Sequence, residues 1–303
     1  ICGLALLSPS FPVMLAWLFI FSVGQHMYLP LNPSIAMDFA SRGNAGRRLG
    51  QVTGAMNLAA ITGSFIIFAG FRYLDFGFKL SFMIAAAGFL FSSVFLFLMT
   101  PDRPRGKSQR FVFRREYSLF YCLNILFGTR KQIFLTFAPW VLVTVFHQPT
   151  QVVAVYLFIG GLIGIVFNPV LGRIIDRKGK RFVLMSEAVI LIFICLGYGF
   201  SPALLPPRLA LIVASACFII DQLLMSVGMA RATYIRKIAV KPEDVSPTLT
   251  MGVTIDHLFS IIIALVSGYI WKNLGYQYVF TMGAVIARIN LLSARRIKTG
   301  DGN

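Results

Sequence analysis

Three polar clusters interrupt long apolar runs in this 303-residue chain: Gln25-His26, Arg130-Lys131-Gln132 and Asp221-Gln222. An ionisable group inside a bilayer costs several kcal/mol, so it marks a solute or ion path by default. Cations and a carboxylate at one depth can hold a charged solute. Counting 1.5 Å per residue from the outer ends of the runs puts Gln25 at ~20 Å, Asp221 at ~21 Å and Gln132 at ~22 Å. The three clusters therefore share one layer, and the expectation is a common cavity. Its two cations outnumber Asp221, which favours an anionic or zwitterionic solute. Arg130-Lys131 has a competing reading, as the snorkelling end of a span or a helix on the membrane surface. Adjacent residues differ by about 100° around a helix, so one of the two faces the cavity, and Arg130 suits a carboxylate or phosphate better. Asp256, His257 and Arg288 lie deeper in their runs. An Asp256–Arg288 pair is one expectation. A proton relay through Asp256, His257 or His26 is the other. Glu187 is expected to meet Arg231 or Arg236. Three scattered His and four Cys, all without ligand spacing, predict no metal, no cofactor and no enzyme.

The elements that position these residues follow from composition. The chain is 57% hydrophobic and 13% charged, with 29 Phe. A soluble domain carries about 25% charged residues, so the composition argues against a soluble protein and excludes a disordered one. Nine apolar segments, at 11–31, 49–70, 79–99, 118–146, 152–171, 182–200, 208–230, 249–271 and 277–293, read as membrane-spanning helices. Alternate loops and the C-terminal tail hold 21 of the 28 Lys and Arg, against 4 on the other side. That bias places the linker 100–116 and the C-terminus in the cytoplasm of a cell-membrane protein. It also explains the net charge of +17 without nucleic acid. The expected partners are the lipid bilayer, a small-molecule solute and protons. Gly54, Gly70, Gly77 and Phe82 recur as Gly252, Gly268, Gly275 and Phe280 at an offset of 198. This repeat predicts two similar halves.

One loop, Gly172 to Arg181, reads GRIIDRKGKR. It resembles the cytoplasmic-loop signature of the major facilitator superfamily at Gly172, Asp176, Arg177, Gly179, Lys180 and Arg181. The glycines permit a tight turn. The resemblance implies an all-α membrane bundle of two pseudo-symmetric halves, with this loop latching them together. It implies that the nine segments are family helices four to twelve of an N-terminally truncated chain. The domains are then 1–99 for the rest of the first half, 100–116 for the linker and 117–303 for the six-helix second half. Family helices four, seven and ten, which line the central cavity, carry the three polar clusters. Signatures of drug antiporters and sugar porters are missing. The implied function is secondary transport by alternating access. The alternatives are a non-transporting sensor or structural relic of the same fold, or an inactive fragment.

Overall fold

A computed structural model describes residues 1–7, 10–28, 45–98, 112–241 and 244–297. These residues are helical, with no strand among them. The chain forms two compact units, Ile1–Ser108 and Gln109–Asn303.

Unit 1 contains α1 (Cys2–Leu6), α2 (Phe11–Tyr28), α3 (Ala45–Tyr73) and α4 (Phe78–Leu98). The helix α1 packs on α2 and α4. The Trp17 indole donates to the Leu7 carbonyl at 3.1 Å. Apolar side chains cover α4 on every side, and Phe97 is 90% exposed. A helix apolar all round belongs in lipid rather than water.

Unit 2 begins with a 3₁₀ turn at Arg115–Tyr117 and continues with α5 (Ser118–Thr144) and α6 (Thr150–Leu204). Then come α7 (Pro207–Leu224), a 3₁₀ turn at Met225–Val227, α8 (Gly228–Ile238), α9 (Val245–Leu274) and α10 (Tyr276–Arg295). The run α6 is two arms broken at Gly179, where φ is 83° and ψ is 162°. Only glycine adopts that conformation without strain. Gly172, expected to share the turn, is helical instead. One glycine suffices to break the run. The side chain of Asp176 lies outside the described residues.

The core of unit 2 lies where α5, the second arm of α6 and α10 meet. Phe134 meets Tyr198 and Phe280 edge to face, at centroid distances of 5.9 and 5.5 Å. Tyr198 stacks on Phe280 at 4.9 Å. Such aromatic pairs add about 0.5–1.5 kcal/mol each beyond their buried area. The inner face of α5 is closed by this cluster, and its one charged residue there is Arg130.

Among the described residues, six helical stretches are long and apolar enough to cross a membrane: 55–73, 78–98, 150–175, 177–204, 207–232 and 247–274. A shorter apolar stretch covers Phe11–Gln25. Among the described residues, the expected segments 118–146 and 277–293 fall short by this measure, and 11–31 runs past the described residues. The physical reason is polar content: α5 carries Asn124, Arg130, Lys131 and Gln132, and α10 carries Gln277, Arg288 and Asn290.

Candidate functional site

The backbone of α5 sends its two adjacent cations to opposite neighbours. Arg130 turns into unit 2 and is 2% exposed. Its Nη2 lies 3.2 Å from Asp221 Oδ1 on α7 and 3.9 Å from Glu187 Oε1 on α6. Lys131, about 100° further round the helix, reaches the other way and donates from Nζ to Asp256 Oδ2 on α9 at 2.7 Å. The snorkelling alternative is thereby overturned for Arg130, whose guanidinium is enclosed by protein.

Glu187 is shared. Its Oε2 accepts from Arg231 Nη1 of α8 at 3.3 Å. Arg231, assigned to a cytoplasmic loop in the charge count, is 2% exposed inside the bundle. The 3₁₀ turn at Met225–Val227 explains the difference. It joins α7 to α8 with no loop between them, so the helical path runs on past the apolar segment and carries Arg231 inward.

The ring of Phe127 joins the two ion-pair groups. The Arg231 guanidinium carbon sits 3.6 Å from its centroid, with Lys131 Nζ at 5.6 Å and the Arg130 guanidinium carbon at 5.8 Å. A cation over an aromatic face gains about 0.5–2 kcal/mol, most where water is excluded. The result is one network of three cations (Arg130, Lys131, Arg231) and three carboxylates (Glu187, Asp221, Asp256) from five helices. The expected excess of positive charge is absent from it, because Glu187 and Asp256 supply the two missing negative charges.

The contact of α5 with α9 is close. A Cβ on Gly128 would overlap the Asp256 carboxylate, so glycine is required there. Ser260 donates its one hydroxyl proton between Asp256 Oδ1 at 3.3 Å and the Gly128 carbonyl at 3.1 Å. Asp256 thus binds Lys131 and not Arg288, which is exposed on α10. The expected Asp256–Arg288 pair is corrected on that ground: Arg288 points away from the bundle. His257 is partly buried one position on.

The remaining expected site residues divide. Gln222 packs its Cβ against Gly160 on the first arm of α6. Gln132 donates to Thr136 at 2.8 Å on the outer face of α5. Gln25 is exposed on α2 in unit 1, and the side chain of His26 lies outside the described residues.

The network is poorly satisfied for its burial. Arg130 Nη1 donates to the thioether of Met225 at 3.2 Å, a weak acceptor. Arg130 Nη2, Asp221 Oδ1 and Glu187 Oε1 are ion-paired outside hydrogen-bonding geometry, and Arg130 Nε, Arg231 Nη2 and Asp221 Oδ2 are buried without a hydrogen bond inside the chain. Donors and acceptors of both signs are thus left over in one layer of the bundle.

A family model described as Major Facilitator Superfamily matches residues 1–243. The chain belongs to that superfamily. Membership makes it a multi-pass membrane protein that transports a solute, with the charge network inside its second unit. The match ends before α9, so Asp256 lies beyond the matched residues while the other five charges lie within them. No curated protein matches the chain.

Proposed function

We propose that the chain carries a small zwitterionic solute across the cell membrane by alternating access of two halves, 1–99 and 117–303, joined by a cytoplasmic linker. The observation behind the solute class is the set of buried, unbonded polar atoms of both signs around Arg130, Glu187, Asp221 and Arg231. A carboxylate on the solute would accept from Arg130 and Arg231. An ammonium would donate to Asp221 and Glu187. A solute with one charge would leave the opposite pole of the network unpaired, which costs about 1–3 kcal/mol or more per buried group. Specificity by unpaired polar groups is stronger than specificity by apolar fit. Balance also favours the zwitterionic of the two expected solute classes, anionic or zwitterionic.

The test is a melting-temperature screen of the purified full chain with alanine, propionate, alaninamide and glucose. Alanine should raise the melting temperature saturably, and Asp221→Asn should remove the effect. A rise with propionate or glucose and none with alanine overturns the zwitterion assignment. Binding of alanine without uptake into proteoliposomes would favour the non-transporting sensor.

A further inference from the structure

The first residues of unit 2 are tied to the turn between α8 and α9. Tyr117 is fully buried, and its hydroxyl is used twice. It donates to Asp244 Oδ2 at 2.8 Å and accepts from the Val240 N–H at 2.9 Å. Arg114 Nε approaches the same Asp244 oxygen at 2.9 Å. Tyr121 donates to the Val112 carbonyl at 2.6 Å, and Phe113 stacks on its ring at 5.0 Å with 8° between the planes. Residues 112–121 thus hold both ends of the 240–244 turn.

That turn is the far end of the helix that carries Arg231. Val240 lies two residues past Ile238, the last residue of α8, and Ile238 follows Arg231 by seven residues, roughly 10 Å at 1.5 Å per residue. The helix has 11 residues and continues the path of α7 through the 3₁₀ turn at Met225–Val227. Its position is set at one end by Arg231 on Glu187 and Phe127, and at the other by Tyr117 on Val240. A short rigid rod held at two points passes displacement from one to the other.

We propose that residues 112–117 are a clasp that sets the position of α8, and with it the Arg231–Glu187 ion pair. Release of the clasp lets α8 shift and loosens Glu187 from Arg231; closure restores both. The clasp lies apart from the network, so the proposal stands whether or not the solute is zwitterionic.

Hydrogen exchange on the purified full chain tests it, with Tyr117→Phe and Asp244→Asn. Tyr117→Phe removes one hydroxyl and leaves the buried ring, so the fold survives. Both variants should speed exchange about tenfold in 228–238, the loss of one hydrogen bond to a charged group, and leave 276–295 unchanged. A second measurement separates coupling from local loosening. Tyr117→Phe and Glu187→Gln do not touch, so their melting-temperature losses should add if the two sites are independent. The clasp requires the double variant to lose less than the sum, by half the smaller loss or more. Exchange that rises only in 112–121 and 239–244, or evenly through unit 2, overturns the proposal. Simple addition of the two losses overturns it as well.

Discussion

At Arg130 the side chain meets Asp221, Glu187 and a thioether in a site 2% exposed. Removing one partner from a buried ion pair costs about 3–5 kcal/mol, whereas replacing both by apolar groups is often neutral. Arg130→Met should therefore destabilise the protein by about that much, and Arg130→Met with Asp221→Leu should recover most of it. Melting in detergent checks the order; a double variant worse than the single would contradict it. Gly128→Ala is expected to push the Asp256 carboxylate off α5, because the added methyl takes its place. Lys131 then loses its partner and should react faster with an amine reagent, read by mass spectrometry. Burial pushes the Tyr117 phenol above its ordinary value of 10.0, and the nearby Asp244 carboxylate adds to the rise. A raised phenol holds its proton more tightly in the folded state. Its contribution is thus complete below 10.0 and fades only as pH climbs past the raised value. Exchange in 239–241 should accordingly be independent of Tyr117 ionisation at neutral pH, once the intrinsic exchange rate is divided out. The sequence made Arg130, Lys131 and Asp221 visible by depth alone. Depth does not give azimuth, so the partner of Asp256 was misassigned. Phe127 was hidden among 29 Phe with nothing to single it out.

At the level of the helix, apolar runs bounded by Pro, Gly or charge marked where helices lie, as at 79–99 for α4 and 118–146 for α5. What they could not mark is continuity. The break in α6 is a single residue, and the junction of α7 and α8 is a 3₁₀ turn with no polar loop, so Arg231 passed for a loop residue. The break at Gly179 carries a testable cost. Gly179→Ala forces an L side chain into a region reserved for glycine, at about 1–3 kcal/mol. Its Cβ would meet nothing within 4 Å, so the cost is conformational and not steric. Asn at the same position should lose about as much as Ala, because its tolerance of positive φ belongs to ψ near 47° and not to the 162° of this break. A clear advantage of Asn over Ala in thermal unfolding would contradict the conformational origin of the cost.

For the whole molecule, the charge bias makes a sidedness test direct. Cysteine at Lys178, next to the break in α6, should resist an impermeant thiol reagent in intact cells, and cysteine at Gln148, between α5 and α6, should react. Labelling in the reverse pattern would invert the topology. The halves inferred from the repeat rest on glycines and a phenylalanine, and these residues have unequal settings: Phe280 is fully buried in unit 2, while Phe82 is 39% exposed in unit 1. A repeat in sequence therefore fixed element order better than packing. The charged helix α5 also has a consequence for biosynthesis. A cation at the centre of a nascent span adds about 2.5–3.5 kcal/mol to its transfer from the translocon into lipid, and α5 carries two. The carboxylate that neutralises Lys131 is encoded 125 residues later. At about 5–20 residues per second, α5 waits roughly 6–25 s for it. During that interval it must stay beside the translocon or sit shallowly in the bilayer, so unit 2 completes its insertion only after the ribosome has delivered α9.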